Sequence, residues 1–177
     1  MRKLVLLLVF SLVDCAAQSA GSKSLEVQSI GVVYFLDSSS QTMKPLPEEM
    51  FKIGHSSVFK TAYAGAAMIA SDDVSGGRSS FRLSTGKPEF VFRFGTPENA
   101  KLYVSTQNKN QRRFAAVRVN KDNSVAILPG IPVEITQFGE SSYKMVPQSS
   151  LSPGEYSIIL AGSAQAKSRT LFTFGID

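Results

Sequence analysis

The stretch that decides the fold is 151–177, LSPGEYSIILAGSAQAKSRTLFTFGID. After Pro153 and Gly154 it reads as an extended strand, and successive side chains of such a strand lie on opposite faces. One face carries Tyr156, Ile158 and Leu160, and the other carries Ser157, Ile159 and Ala161. A small polar loop and a second apolar strand at 171–174 follow. The pattern predicts that 151–177 is the closing hairpin of an all-β domain.

Tyr156 lies in the pattern Leu-x-Pro-Gly-x-Tyr, which begins at Leu151. Proline fixes φ and glycine accepts positive φ, so Pro153 and Gly154 are predicted to form a turn. In immunoglobulin-like sandwiches, a tyrosine near the start of a late strand bonds through its hydroxyl to backbone a few residues upstream. The spacing therefore predicts a tyrosine corner at Tyr156, with a ligand-binding role for this side chain as the alternative.

Short strands separated by Gly, Pro, Asn or Ser recur through most of the chain. The stretch 88–94 is a clear example, because Phe90, Phe92 and Phe94 share one face. Strands of this length and spacing are typical of sandwiches and barrels. We expect an immunoglobulin-like antiparallel β-sandwich with a small irregular or helical insertion.

The expected insertion lies within 47–79. Acidic residues after Pro47 favour the start of a helical turn. The Ala-rich stretch 58–70 fits either a helix or a pair of strands, although Gly54 and Gly65 oppose one long helix. The stretch 71–77, SDDVSGG, is predicted to be a loop.

Residues 1–20 have the form of a secretory signal peptide. Arg2 and Lys3 precede the apolar run 4–13, and small residues follow. This run is shorter than the roughly 20 apolar residues that span a bilayer, and its arrangement is typical of a cleaved export signal. The sequence predicts a signal peptide at 1–20 and one β-sandwich domain at 21–177.

Cys15 is the single cysteine of the chain. The residues 12–15, Leu-Val-Asp-Cys, are similar to a bacterial lipobox, in which the cysteine becomes the lipidated first residue. Asp14 departs from the small residue that normally precedes this cysteine, and ordinary signal-peptidase cleavage is the alternative. Both routes leave no internal disulfide, so the domain depends on its hydrophobic core. We therefore expect a periplasmic or outer-membrane-attached protein of bacteria.

Several stretches together resemble a set of uncharacterised exported bacterial proteins, some of them possible lipoproteins. The matching stretches are YFLD with MKPL in one hairpin, PEFVFRF, NQRRFAAVRV, LSPGEYSIIL and the terminal FTFGID. Proteins of this set end in a Pro-Gly-Glu-Tyr strand followed by F-x-F-G-[IV]-D. The resemblance implies a β-sandwich and export, and it carries no activity.

Catalytic and metal-binding patterns are sparse. His55 is the only histidine, and no G-x-S-x-G motif is present. A hydrolase that uses His55, oriented by Asp72 or Asp73, is the enzyme alternative. One histidine without a mature thiol does not supply the usual zinc ligands. The two aspartates are too few for calcium and are expected to be solvated, so we predict no catalytic residue, metal or cofactor.

The strongest candidate for a binding site in the sequence is a basic stretch. Between Glu98 and Asp122 it contains no acidic residue and carries these cations: Lys101, Lys109, Arg112, Arg113, Arg118 and Lys121. A patch of this kind could bind phosphate, lipopolysaccharide, an acidic glycan or an acidic envelope protein. Few aromatic residues lie among the cations, so nucleic acid is not indicated. The alternative is that lysine and arginine protect an exposed strand edge from aggregation.

The functional expectation is a non-catalytic binding or scaffolding role in the cell envelope. A polyanion-binding module at 101–121, a hydrolase and a purely structural envelope component are its alternatives. The formal net charge of +5 is modest and does not by itself indicate a partner. The sequence names neither the ligand nor the partner.

Overall fold

The computed structural model describes residues 26–55, 68–119, 125–161 and 169–177. Regular structure in these ranges is almost entirely β, with a single 3-10 turn at Pro97–Asn99. The strands are β1 Val33–Asp37, β2 Thr42–Pro45, β3 Glu48–Glu49, β4 Phe51–His55, β5 Met68–Ser75, β6 Arg82–Leu83, β7 Glu89–Phe92, β8 Ala100–Val104, β9 Thr106–Asn108, β10 Gln111–Val119, β11 Val125–Ile127, β12 Val133–Phe138, β13 Ser142–Pro147, β14 Gly154–Ala161 and β15 Arg169–Ile176.

These strands form three sheets. The front sheet has the order β12-β13-β7-β1-β2, and the back sheet has the order β11-β10-β5-β4 with β9 beside β10. The central sheet has the order β3-β15-β14-β8, and β6 pairs in parallel with the end of β15. The predicted all-β sandwich is confirmed. Its immunoglobulin-like type is not confirmed. That fold has two sheets, whereas three are formed here.

The closing hairpin lies in the middle of the molecule. Strands β14 and β15 pair along their whole length, and most of their side chains are buried on both faces. Tyr156, Ile158 and Leu160 pack toward the front sheet, and Ile159 packs toward the back sheet. The predicted alternation is therefore confirmed between Tyr156 and Leu160, and the side chain of Ala161 lies outside what the structure describes. Burial on both faces explains why these strands read as nearly continuous apolar runs.

The front and central sheets share the main hydrophobic core. Phe90 and Phe92 of β7 are fully buried there, and Phe94 packs against the same cluster, as predicted. The ring centroid of Phe90 lies 4.8 Å from that of Phe174 on β15. Val91 points to the opposite face of the front sheet and packs in a smaller outer cluster. Because successive side chains of a strand lie on opposite faces, β7 contributes to two separate hydrophobic clusters.

In the part of 47–79 that the structure describes, the predicted irregular or helical insertion is mostly strand and contains no helix, while 76–79 is irregular. Glu48–Glu49 pairs with β15, so it is a strand and not a helical turn. The expected loop at 71–77 is largely strand, since Met68–Ser75 lies between β10 and β4. Pairing on both sides outweighs the weak local preference of Asp, Ser and Ala for other structures. Residues 56–67, and with them most of the Ala-rich stretch, lie outside the described residues.

The predicted boundary between the signal peptide and the domain, at residues 20 and 21, also lies outside the described residues. Residues 1–25 contain the expected signal peptide and Cys15, so both stay predictions. The single domain at 21–177 likewise stays a prediction.

Candidate functional site

Tyr156 forms the predicted tyrosine corner. Its hydroxyl donates a hydrogen bond of 2.7 Å to the backbone carbonyl of Ser152, four residues upstream. The side chain is only 4% exposed, and its ring stacks on Phe174 with centroids 5.4 Å apart. Burial raises the pKa of the Tyr156 hydroxyl above its ordinary value, because ionisation would place a charge at the core edge. The corner fixes where β14 begins.

The predicted role of the Pro153-Gly154 pair needs a correction. Gly154 does not have a positive φ and is already the first residue of β14, while the chain bends at Pro153. A Cβ added at Gly154 would lie 3.5 Å from the Tyr156 ring, which is an ordinary contact. The pair is therefore a bend held by the tyrosine corner, and it does not depend on the conformational freedom of glycine.

A groove of about 570 Å³ opens beside this corner. We call it the hairpin groove, because the start of β14 and the end of β15 form one wall. The segment after β5, strand β6 and the β8–β9 region form the rest. The polar side chains that line it are Arg78, Arg82, Ser105, Gln107, Glu155 and Asp177.

Arg82 is positioned by the parallel pairing of β6 with β15, which places it beside Gly175. A Cβ at Gly175 would overlap the Arg82 guanidinium. This guanidinium donates from Nη1 to Glu155 Oε1 and from Nη2 to the carbonyl of Ile176 at 3.3 Å. The glycine therefore provides the space that the Arg82 guanidinium occupies beside the central sheet.

Glu155 fixes the position of Arg82 by accepting a hydrogen bond from its guanidinium. Its side chain is only 10% exposed, and its Oε2 accepts the backbone N–H of Ser79 at 2.7 Å. The backbone carbonyl of Glu155 accepts the N–H of Ser105 at 2.8 Å. One residue thus ties the segment 79–82 and the residue after β8 to the wall of the groove.

Asp177 lies at the mouth of the groove between two arginines. Its Oδ1 accepts hydrogen bonds from Arg78 Nη2 at 2.7 Å and from Arg82 Nη2 at 2.6 Å, and its Oδ2 accepts one from Arg82 Nε at 3.3 Å. These contacts, chiefly the hydrogen bond from Arg82, lower the pKa of Asp177 below its ordinary value. The same hydrogen bond is the main cause that raises the pKa of Arg82.

Sequence reasoning missed these groups. Glu155 and Asp177 lie in the stretches LSPGEYSIIL and FTFGID, whose local pattern indicates strands and not a charged site. A glycine between the apolar residues Phe174 and Ile176 was the available signal, since glycine in a strand marks a close approach of another group. The identity of that group, Arg82, is not readable from local sequence.

The predicted basic patch is not assembled as expected. Arg112 and Arg113 are neighbours on β10 and point to opposite faces of the back sheet. Lys109 is exposed at the β9–β10 turn, and Lys101 is half-buried on β8. The side chain of Arg118 and the whole of Lys121 lie outside the described residues.

Arg112 is a buried structural residue and not part of a surface patch. Its side chain is 1% exposed and lies between the back and central sheets. It donates to Glu49 Oε1 at 3.1 Å, to Thr173 Oγ1 at 3.0 Å and to the carbonyls of Gly76 and Ser75 at 3.1 and 3.4 Å. Burial of an arginine requires such partners, because an unpaired charge in the interior is very costly.

Arg113 is also engaged. It binds Asp73 directly across the β10–β5 ladder, with two hydrogen bonds of 2.8 Å. The Arg113 hydrogen bond is the main cause that lowers the pKa of Asp73. The surface-patch prediction is therefore wrong for Arg112, and for Arg113 the charge is already matched by a carboxylate.

His55, Asp72 and Asp73 are the candidate residues for catalysis or metal binding. His55 ends β4 opposite Ala70, and its side chain, like residues Ser56 and Ser57, lies outside what the structure describes. Asp72 is fully buried and Asp73 is paired with Arg113, so the expectation that both are solvated is wrong. Among the described residues, no group of three or more His, Cys, Asp or Glu side chains could hold a metal ion.

Comparisons of the chain with protein-family models, curated proteins and solved structures found no match. In the part of the chain that the structure describes, no helix is both long enough and apolar enough to cross a membrane.

Proposed function

We propose that this chain is an exported, non-catalytic β-sandwich protein of the bacterial envelope that binds a small polar ligand in the hairpin groove. The observation that carries the proposal is the set of four charged side chains, Arg78, Arg82, Glu155 and Asp177, held around one open groove. Arg82 and Glu155 are ordered by hydrogen bonds to each other and to backbone groups, which favours binding because less conformational entropy is lost when the ligand arrives.

The size and lining of the groove support a small-molecule ligand. Its volume of about 570 Å³ lies within the range of roughly 300–1,000 Å³ that is usual for ligand sites. Gln107 lines it, and its side-chain amide is oriented by a hydrogen bond of 3.2 Å to the carbonyl of Gly77. Pro153 and Ile176 add apolar surface. This combination suits a ligand with both polar groups and a carbon framework.

The charge pairing in the groove supports binding rather than catalysis. Glu155 and Asp177 both accept hydrogen bonds from Arg82. A general base works best with a pKa near the operating pH, whereas the pKa of Asp177 lies below its ordinary value. Among the residues that line the groove in the described ranges there is no His, Cys or Lys. A hydrolase that uses His55 stays a prediction, and His55→Ala would remove any such activity.

Export and attachment are proposed from the sequence of 1–20. Mass spectrometry of the mature protein from a bacterial envelope fraction tests both. Lipid attachment predicts a mature chain that starts at a diacylated Cys15, and ordinary cleavage predicts an unmodified start within the small residues that follow. A mature chain that still begins at Met1 would contradict export.

Groove binding is tested with a tryptophan that fills the groove. The chain contains no native tryptophan, and Gln107 is an exposed lining residue. The matched control is Thr136→Trp on β12, which is also exposed but lies outside the groove. Small molecules that co-purify with each protein are released and identified by mass spectrometry.

We expect the native protein and Thr136→Trp to retain the same bound molecule and Gln107→Trp to lose it. Thermal unfolding of all three proteins checks that the variants are folded. If the native protein and Gln107→Trp carry identical sets of bound molecules, whether empty or not, the groove is not the binding site.

A further inference from the structure

We infer that the guanidiniums of Arg78 and Arg82 form a carboxylate-binding site, and that the side chain of Asp177 occupies this site until the carboxylate of a ligand displaces it. The inference rests on the proposed function of the hairpin groove as a ligand site. It adds the chemical class of the ligand and a competing group built into the chain.

The contacts of Asp177 are those that a bound carboxylate would make. Arg82 reaches both oxygens, with Nη2 on Oδ1 at 2.6 Å and Nε on Oδ2 at 3.3 Å. Arg78 Nη2 adds a third hydrogen bond of 2.7 Å to Oδ1. A two-pronged contact between guanidinium and carboxylate is strong and geometrically specific. The pair of arginines therefore already has the form of a carboxylate receptor.

Arg82 keeps its place without Asp177. Glu155 accepts from its Nη1, the carbonyl of Ile176 accepts from its Nη2, and the missing side chain at Gly175 leaves room for its guanidinium. Glu155 is in turn fixed by the N–H of Ser79. The Arg82 half of the receptor thus stays ordered when the carboxylate at the groove mouth is exchanged.

Asp177 is held loosely in comparison with Glu155. The side chain of Asp177 is 52% exposed and that of Arg78 is 68% exposed. The Arg78–Asp177 pair therefore contributes little net stability, because water and salt compete for both partners, whereas the Arg82 side chain of the second pair is only 24% exposed. A ligand that adds further contacts in the groove can therefore replace the Asp177 side chain.

The local charge balance selects a singly charged anion. With Asp177 in place, Arg78 and Arg82 are matched by Asp177 and Glu155. When Asp177 moves out, one positive charge is left without a partner. A carboxylate restores neutrality, whereas a phosphate dianion would add negative charge close to Glu155. The ligand class is therefore a compound with a free carboxylate, from either an acidic sugar or a peptide terminus.

Calorimetric titration of the full-length mature protein tests this inference. The probes are glucuronate and N-acetylalanylalanine, each compared with its neutral counterpart, glucose and N-acetylalanylalanine amide, and inorganic phosphate is a fifth probe. The variants are Asp177→Ala, which removes the competitor, and the double variant Asp177→Ala with Arg78→Ala, which also removes half of the receptor. Glu134→Ala on β12 is the matched control, because it removes an exposed carboxylate elsewhere.

We expect Asp177→Ala to bind at least one carboxylate probe on the order of tenfold more tightly than the native protein, since the two ion pairs of Asp177 no longer have to be broken. Glu134→Ala should match the native protein, and the double variant should lose the gain. The neutral probes should not bind, and the carboxylate probe that binds identifies the source. If Asp177→Ala is unfolded by thermal denaturation, Asp177→Asn is used, which keeps the size and removes the charge.

Equal affinity of the native protein and Asp177→Ala for both carboxylate probes would overturn the inference, as would tighter binding of phosphate or of a neutral probe. These outcomes are distinct from failure of the proposed function. A co-purifying neutral molecule that Gln107→Trp loses would keep the groove as a binding site and remove only its carboxylate specificity.

Discussion

The guanidinium of Arg82 lies in the space that a side chain at residue 175 would fill, against the bare backbone of Gly175. This packing joins the parallel strand β6 to the end of β15 and directs Arg82 toward Glu155 and Asp177. The closing hairpin therefore has two roles, because its middle forms the centre of the core and its open end forms the groove.

Replacement of Gly175 by alanine should displace Arg82. The added methyl group must push the guanidinium away from the central sheet, and overpacking of this kind destabilises by about 1–3 kcal/mol. Urea unfolding measures the change. The matched control is Gly95→Ala, since a Cβ at Gly95 would meet no atom within 4 Å. Equal stability of both variants would show that Arg82 does not depend on the glycine.

Replacement of Tyr156 by phenylalanine should cost about 1–3 kcal/mol of unfolding free energy, because the Ser152 carbonyl loses its buried partner while the stacking on Phe174 is kept. Chemical denaturation gives this value. Tyr143→Phe is the control and should change stability by less than about 0.5 kcal/mol, because the Tyr143 hydroxyl has no partner among the described residues. A neutral Tyr156→Phe would mean that the tyrosine corner does not stabilise the fold.

Replacement of Arg112 by methionine should destabilise the protein by about 3 kcal/mol, because Glu49 and Thr173 lose a shared buried partner. We place the value at the low end of the range for broken buried pairs because a quarter of the Glu49 side chain reaches solvent. Arg78→Met replaces an exposed arginine and should cost less than about 1 kcal/mol. Similar unfolding midpoints for the two variants would contradict a structural role for Arg112.

The ion pair of Asp73 with Arg113 should make stability depend on pH in the acidic range. The pKa of Asp73 is lower in the folded protein than its ordinary value of 3.8. Its contribution is therefore complete above that value and is lost as the pH falls through the lower folded pKa. Asp73→Asn should lose on the order of 1 kcal/mol at pH 7 and progressively less below pH 4.

Urea unfolding at pH 7 and pH 3 provides the comparison for Asp73. Glu134→Gln on β12 serves as the control, because it changes an exposed carboxylate and should leave stability nearly unchanged at both values. A gap between native protein and Asp73→Asn that stays constant with pH would rule out a contribution from the Asp73 charge.

The closing hairpin and the tyrosine corner could be predicted because their signals are local. Tyr156 and Ser152 are four residues apart, and alternation along one strand assigns its two faces. The same reasoning placed Phe90 and Phe92 on one face of β7, and this face is buried in the core. Position in the sheet order is not local, and so the central place of β14 and β15 and the third sheet were not predicted.

The groove and the buried arginine could not be predicted because their partners are distant in sequence. Arg82 and Glu155 are 73 residues apart, and Arg112 and Glu49 are 63 apart. A run of cations without acidic neighbours suggested a surface patch, but acids from other strands meet Arg112 and Arg113 after folding. Charge patterns along one segment do not show which charges remain exposed.

A crystal structure of the native protein with glucuronate or N-acetylalanylalanine tests the central claim most directly. We expect the carboxylate of the probe to lie on Arg78 and Arg82 in the hairpin groove, with the side chain of Asp177 turned into solvent and Glu155 still bound to Arg82. A structure in which both probes leave the groove empty at saturating concentration, with Asp177 still on the two arginines, would contradict it.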